Sequence, residues 1–285
     1  MLHILTSYIK FLWNSTNSHG VHSPFVFDLV RKCFYDKTGH PECKILTEYR
    51  NALLQNKDII EVTDFGAGSR VFKSNARAID QIAKNAGLSA KDAEMLFRVV
   101  RYFQSAHILE IGTSLGLGTA SMSLGNPKSK ITTLEGCGET AKVAQFQFQK
   151  FNCNVNLVVT EFDNYLNGLQ LSKSDFRLST FDFQLIYFDG NHSEKATLRY
   201  FELLLPTITN ETVWIFDDIH WSAGMEKAWE TIKRHPKVTV TIDTFQWGMV
   251  FFRQEQQKEN FVIRTANSKV LDGILGIRKL WGLLS

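Results

Sequence analysis

The sequence has few cysteines and no apolar run long enough to cross a membrane. Its four cysteines form no CxxC pair and show no zinc-ligand spacing, which argues against a disulfide scaffold and favours a reduced, intracellular setting. No window approaches the roughly 18 uninterrupted apolar residues of a transmembrane helix. The apolar amino terminus lacks the cleavage site of a signal peptide. These absences together predict a cytoplasmic protein.

The sequence also lacks a segment that is dense in Lys and Arg. The net charge of +3 is small for 285 residues, and the Lys and Arg residues are scattered along the chain. Nucleic-acid-binding proteins typically gather positive charge on one face, so no nucleic-acid partner is expected. Hydrophobic residues make up 44% of the chain, which is enough to build one large α/β core.

Apolar periodicity alternates along the centre of the chain between helical and strand patterns. A helical stretch over 91–104 leads into a first buried strand, and helices separate the strands that follow. Strands are predicted at 107–111, 131–134, 156–160, 184–188 and 212–216. Alternation of this kind predicts a parallel sheet with helices on both faces. The last two β-rich runs, 238–245 and 249–253, are too close in sequence for a parallel crossover and must form an antiparallel hairpin.

The predicted architecture is a doubly wound, Rossmann-like α/β fold with a seven-stranded sheet that ends in this hairpin. Residues 90–253 are assigned to the nucleotide-binding domain. Residues 1–89 are predicted to form a helical cap, and residues 254–285 an amphipathic carboxyl-terminal tail. Helices in the cap are expected at 1–13, 24–35 and 45–57. The amphipathic pattern of the tail is compatible with packing on the core, with a homodimer interface or with contact with a membrane surface.

Two glycine-rich segments, 64–69 and 110–118, compete for the role of cofactor loop. An adenosyl cofactor needs a strand, a glycine turn, a helix, and an acidic residue about 20 positions later for the ribose hydroxyls. The second segment follows a predicted strand, opens a helix and is followed by Glu135 at the end of the next strand. The corresponding acid for the first segment would be Asp80, inside a helical pattern, so that segment is interpreted as a turn into a helix.

Acidic side chains and histidines follow two neighbouring strands of the predicted sheet. Asp189 and His192 come after one strand, and Asp217, Asp218 and His220 come after the next. Because ligands of open α/β sheets bind at the carboxyl ends of the strands, all five side chains are expected at the cofactor pocket. A divalent cation would neutralise this crowding. Alternatively, the acids cap helices while the histidines only line the pocket.

The cofactor segment resembles a known family. E-I-G-T-S-L-G at 110–116 resembles motif I of class I S-adenosylmethionine-dependent methyltransferases, and L-E-G at 134–136 resembles their acidic second motif. The resemblance implies that S-adenosyl-L-methionine is the cofactor. The cofactor-binding residues that it implies are Glu110, Gly112, Thr113, Ser114, Gly116, Glu135, Phe162, Asp163 and Asp189.

The acidic cluster is similar to that of catechol O-methyltransferase and its relatives. There, an aspartate after the fourth strand and an Asp-Asn pair after the fifth hold magnesium. Asp189 and Asp217 match the two aspartates, while Asp218 occupies the asparagine position. The resemblance implies a Mg²⁺ site formed by Asp189, Asp217 and Asp218. His192 stands where that family has a proton-abstracting lysine, so His192 and Asp189 are the predicted catalytic residues.

The sequence favours a hydroxyl group on a small molecule as the methyl acceptor. It has no N-P-P-Y or D-P-P-Y tetrapeptide and no Pro-Cys nucleophile of the kind that nucleic-acid methyltransferases use. An NAD-dependent oxidoreductase is the first alternative, but the spacing G-x-x-x-G-x-G and the antiparallel closure of the sheet argue against it. The second alternative is a protein that binds the cofactor without catalysis.

Overall fold

The computed structural model describes residues 2–65, 68, 72–173 and 183–265, with the side chains among them except those of 170–173. The amphipathic pattern predicted beyond residue 265 lies outside the described residues, as does half of the glycine-rich segment 64–69. None of the helices in the described ranges is long and apolar enough to span a membrane.

The amino-terminal part contains four α-helices and a small two-stranded sheet. Its elements are α1 (Leu2–Asn14), α2 (Pro24–Leu29), a π-helical turn (Val30–Phe34), α3 (Glu42–Gln55), β1 (Ile59–Glu61), β2 (Ala76–Ala78) and α4 (Ile79–Asn85). Helix α2 begins as predicted, because the Ser23 side chain accepts a hydrogen bond from the Val26 N–H and Pro24 occupies the first helical position. The predicted helices are present with shifted ends, whereas the antiparallel pair β1–β2 was not predicted.

The remaining elements alternate as the periodicity predicts. They are α5 (Ala90–Phe103), β3 (His107–Ile111), α6 (Leu117–Gly125), β4 (Lys130–Glu135), α7 (Gly138–Lys150), β5 (Asn156–Val159), α8 (Phe162–Lys173), β6 (Leu185–Phe188), α9 (Glu194–Leu204), β7 (Val213–Asp217), α10 (Ala223–Arg234), β8 (Val240–Asp243), β9 (Trp247–Phe251) and β10 (Glu259–Val262). The segment 64–69 connects β1 to β2, so its interpretation as a turn into a helix was wrong.

The main sheet has eight strands in the order β10-β8-β9-β7-β6-β3-β4-β5. Strand β9 runs antiparallel to both of its neighbours, β7 and β8, and the other pairs are parallel. The α/β class and the terminal hairpin are therefore confirmed. The predicted count of seven is one strand short, because β10 pairs with β8 at the edge of the sheet. An edge strand with two exposed polar residues, Glu259 and Asn260, carries no continuous apolar run that would reveal it.

Two hydrophobic clusters cover the two faces of the main sheet. In β7, Val213 and Ile215 join one cluster, and Trp214 and Phe216 join the other. This alternation is the two-residue period of a strand buried on both sides. The amino-terminal helices contribute to the first cluster, where Tyr49 of α3 is fully buried. The cap is therefore packed onto the same core that fixes the carboxyl ends of β3, β4, β6 and β7.

Candidate active site

A cavity of about 560 Å³ opens where β3, β4, β6 and β7 end. Its floor comes from the loops that follow these strands, and part of its wall comes from the amino-terminal segment that includes Phe65, Phe72 and Leu88. This volume lies in the range of small-molecule sites. Predicted site residues that line the cavity are Gly112, Ser114, Glu135, Phe162, Asp163, Asp189, His192, Asp217 and Asp218.

The loop after β3 depends on glycine at its first position. Gly112 has φ +104°, and a Cβ atom built there would lie 2.3 Å from the backbone oxygen of Asp189. Only glycine allows the ends of β3 and β6 to approach this closely. The N–H groups of Gly112 and Thr113 both donate to the Leu134 carbonyl at 3.0 Å, which fixes the loop against β4. The backbone is thereby brought to the edge of the cavity.

Glu135 organises the same edge from the end of β4. One carboxylate oxygen accepts a hydrogen bond from the Ser114 N–H at 2.8 Å, and the other accepts from the Cys137 N–H at 2.9 Å. Burial raises the pKa of Glu135, and these backbone donors oppose the increase. The carboxylate lines the cavity, where it can accept hydrogen bonds from a ligand.

Three other predicted cofactor residues do not line the cavity. Glu110 is 1% exposed and accepts hydrogen bonds from the Thr119 and Thr133 hydroxyls. Burial raises its pKa to about 8. Thr113 is buried with its hydroxyl 2.6 Å from that of Thr133. Gly116 has φ +83° and precedes α6, where a side chain would meet Phe148 and Tyr49. In this structure they shape the loop.

Phe162 and Asp163 stand at the start of α8 on the same side of the cavity as Glu135. The Phe162 ring packs so closely on Gly190 that a Cβ atom there would lie 2.5 Å from the ring. Asp163 forms an ion pair with Arg199 at 3.3 Å. An apolar ring beside a carboxylate suits a flat heterocycle that carries hydrogen-bond donors.

Asp189, His192 and Asp217 form a cluster that also lines the cavity. One potential ligand atom from each lies within 4.8 Å of the others. His192 Nε2 is 3.6 Å from Asp189 Oδ1. Burial, together with the nearby charges of Asp217 and Asp218, raises the pKa of Asp189 well above its ordinary value. Burial and the Asp218 charge raise the pKa of Asp217 to about 8. Such a cluster favours either bound protons or a cation.

Asp218 lies beside this cluster and is held by a residue that the sequence had not indicated. The side-chain amide of Gln246 donates to Asp218 Oδ1 at 2.9 Å and to Asp217 Oδ1 at 3.0 Å. Gln246 lies between β8 and β9 and also lines the cavity. It was not predicted, because the sequence shows only a short hairpin connection at this position.

His220 does not join the site, which corrects the prediction made from its position after β7. It lies outside the residues that line the cavity and contacts Glu226 through Nδ1 at 2.8 Å and Asp243 through Nε2 at 2.9 Å. Burial opposes protonation, but the two carboxylates outweigh it and raise the pKa of His220. Its role in the described structure is to connect α10 to the end of β8.

The amino-terminal segment contributes aromatic and charged side chains to the cavity wall. Phe65 covers Gly136, where a Cβ atom would lie 2.8 Å from the ring. Arg77 pairs with Asp64 at 3.4 Å and lies 5.0 Å from the centre of the Phe72 ring. The contact between Phe65 and Gly136 joins parts of the chain that are far apart in sequence, so no local pattern indicates it.

Comparison with known proteins agrees with this geometry. Residues 109–219 match the sequence family described as a methyltransferase domain. No curated protein sequence matches the chain. The fold is similar to that of an S-adenosylhomocysteine-bound methyltransferase of Podospora anserina, with a TM-score of 0.57 and 14% identity over 82% of this chain and 97% of that one.

Two further solved structures share the fold. An O-methyltransferase of Bacillus cereus in complex with S-adenosylhomocysteine has a TM-score of 0.50 and 18% identity, and the match covers 76% of this chain and 92% of that one. The O-methyltransferase TomG of Streptomyces achromogenes, in complex with S-adenosylmethionine, also has a TM-score of 0.50 and 18% identity, over 59% and 82% of the two chains. At these identities the similarity concerns the fold alone. The chain thus has the fold of these solved methyltransferases, and its central residues 109–219 match a methyltransferase-domain family.

Proposed function

We propose that this protein transfers the methyl group of S-adenosylmethionine to a hydroxyl group of a small molecule. The observation that carries the proposal is the shared cavity, which is lined both by Gly112, Ser114 and Glu135 and by Asp189, His192 and Asp217. The first set suits an adenosyl cofactor. The second set suits deprotonation of an acceptor.

The cofactor would bind along the edge formed by β3, β4 and α8. The Glu135 carboxylate would accept hydrogen bonds from both ribose hydroxyls, and the Phe162 ring would pack on the adenine beside Asp163. The methionine part would bind beside Gly112 and Ser114, which line the cavity. The methyltransferases of similar fold from Bacillus cereus and Podospora anserina bind S-adenosylhomocysteine, which supports the same cofactor here.

Methyl transfer requires alignment and removal of one proton. His192 Nε2 would accept the proton of the acceptor hydroxyl, and the acceptor oxygen would then form a bond to the methyl carbon. The carbon–sulfur bond breaks in the same step, and its electron pair stays on sulfur, which yields neutral S-adenosylhomocysteine. Asp189, 3.6 Å from His192, would stabilise the imidazolium that forms. The products are the methyl ether and the protonated base.

The donor set fits a divalent cation. Two carboxylates and an imidazole converge at Asp189, Asp217 and His192, and Asp218 adds negative charge beside them. Oxygen-rich sets of this kind suit Mg²⁺ or Mn²⁺. When bound, the cation would lower the pKa of the acceptor hydroxyl. We assign Asp189 and Asp217 as its ligands, with Asp218 adjacent.

The acceptor is proposed to be a small molecule because the cavity is enclosed on the side of the amino-terminal segment by Phe65, Phe72 and Leu88.

All four cysteines are free thiols, which fits a reducing compartment. We therefore propose a cytoplasmic location.

Calorimetric titration of the full chain with S-adenosylhomocysteine, and separately with NAD, tests the cofactor. We expect S-adenosylhomocysteine to bind in the micromolar range, about −8 kcal/mol, and NAD not to bind. Tighter binding with MgCl₂ present would support the cation site. Preferential binding of NAD, or no binding of either ligand, would contradict the proposal.

Phe162→Ala is expected to weaken S-adenosylhomocysteine binding about three- to tenfold, because an aromatic contact contributes on the order of 1 kcal/mol. Phe146→Ala is the matched control, since Phe146 is exposed on α7 and does not line the cavity. The same calorimetric titration measures both variants. Equal affinities for the two variants would remove Phe162 from the cofactor site.

A further inference from the structure

Gln246 is the only residue described in the structure that donates a side-chain hydrogen bond to both Asp217 and Asp218. The two hydrogen bonds, at 3.0 and 2.9 Å, use the same amide nitrogen. Two carboxylates this close repel one another and would turn apart without a shared donor. An amide supplies that donor without adding a charge that would repel a cation.

The backbone that presents Gln246 is strained. Phe245, the preceding residue, has φ +75°, a conformation that is rare for a bulky side chain. The turn around it is fixed by hydrogen bonds from the Phe245 N–H to Asp243 Oδ1 at 2.8 Å and from the Thr244 N–H to the Trp247 carbonyl at 2.9 Å. Strain that the surroundings maintain at a site-lining turn points to a functional constraint.

Helix α1 packs against the strained residue. The Phe245 ring contacts Tyr8 at 4.8 Å and Phe11 at 5.5 Å between ring centres, and it stacks on His220 at 5.1 Å. The end of α1 is tied to the edge of the main sheet, where the Arg264 guanidinium donates to the Ser15 carbonyl at 2.9 Å. The contacts thus run from α1 through Phe245 to Gln246 and the two aspartates.

We propose that Gln246 is a positioning residue that holds Asp217 in the orientation needed to bind a divalent cation, with Asp218 fixed beside it, and that α1 holds Gln246 in place through Phe245. The inference rests on the proposed function, because it assigns a cation to the same cluster. It gives the amino-terminal helix a part in the site although no residue of α1 lines the cavity.

The first test compares Gln246→Met with the wild-type chain. Methionine keeps the length and volume of glutamine but removes the donor. Calorimetric titration with MnCl₂, with S-adenosylhomocysteine bound, should show at least tenfold weaker Mn²⁺ binding, and the Mn²⁺ electron paramagnetic resonance spectrum should change. The melting temperature and the affinity for S-adenosylhomocysteine should stay the same. Gln149→Met, on the exposed face of α7, is the control and should bind Mn²⁺ as the wild type does.

The second test concerns α1. Tyr8→Ala removes the edge contact with Phe245 at a partly exposed position, so the chain should fold and bind Mn²⁺ two- to threefold more weakly. Leu5→Ala, on the outward side of α1, should have no effect on Mn²⁺ binding.

The outcomes separate this inference from the proposed function. Unchanged Mn²⁺ affinity in Gln246→Met would overturn it, and so would a wild-type chain that binds no Mn²⁺. In either case, retained binding of S-adenosylhomocysteine would leave the proposed methyl transfer standing. Loss of Mn²⁺ binding in Gln246→Met, with Gln149→Met unchanged, would support the inference.

Discussion

Glu135→Ala is expected to weaken S-adenosylhomocysteine binding about 30- to 100-fold. The proposed role of this carboxylate is to accept hydrogen bonds from the ribose hydroxyls, and a hydrogen bond to a charged group contributes about 1.5–3 kcal/mol. The substitution also leaves the Ser114 and Cys137 N–H groups, which now donate to Glu135, without their acceptor. Calorimetric titration of the full chain measures the loss.

A neighbouring carboxylate provides the control for this prediction. Glu139 lies on α7, four residues further along, and pairs with Lys142 at 2.6 Å on the exposed surface. Glu139→Ala should bind S-adenosylhomocysteine as the wild type does. If Glu135→Ala retained affinity within about threefold, below 1 kcal/mol, the ribose assignment would be wrong. Glu161, another carboxylate that lines the cavity, would then be the candidate.

The fold could be predicted from the sequence wherever local patterns carry the information. Apolar runs such as His107–Ile111 indicate a strand that is buried on both faces of the sheet. The short connection before Trp247 allows β8 and β9 to pair only as antiparallel strands. Strand β10 and the pair β1–β2 could not be predicted. These elements are short and partly exposed, and pairing with distant backbone determines their structure.

The site could be predicted where the strand-end rule places a side chain. Asp189 and Asp217 come together because β6 and β7 are adjacent and parallel. The same rule failed for His220, since the chain turns at Asp218, which has φ +54°, and His220 contacts Asp243 instead. Gln246 was missed for a related reason: its role depends on a tertiary contact between the β8–β9 turn and the end of β7.

Glu110 shows the limit of prediction from a motif. Its place at the start of the glycine segment implied contact with the cofactor, whereas the structure buries it beneath the loop with two threonine hydroxyls as partners. A carboxyl group that is 1% exposed is costly to ionise, and burial raises its pKa to about 8. Stability should therefore depend on the protonation of this residue.

Glu110→Gln is expected to stabilise the protein at alkaline pH but not at acidic pH. In the unfolded chain the glutamate loses its proton near its ordinary pKa of about 4.5, whereas the folded chain keeps the proton up to about 8. The folded state binds more protons between these values, so the free energy of unfolding falls as pH rises from 4.5 to 8. Glutamine cannot ionise and removes this contribution. At pH 8.5 the variant should be more stable than the wild type by roughly 3–5 kcal/mol.

Urea unfolding at pH 5 and pH 8.5 measures the difference. At pH 5 the two chains should agree within about 1 kcal/mol, because the glutamine oxygen can accept the hydrogen bonds of Thr119 and Thr133 in place of the neutral carboxyl group. Asp189 and Asp217, whose pKa values are also raised, lower the stability of both chains at high pH, so the comparison of the two chains, and not the wild type alone, measures the effect of the Glu110 charge. Glu139→Gln, at the exposed surface, should reproduce the wild-type pH dependence. A Glu110→Gln chain that loses as much stability between pH 5 and 8.5 as the wild type would show that Glu110 is already ionised in the folded protein.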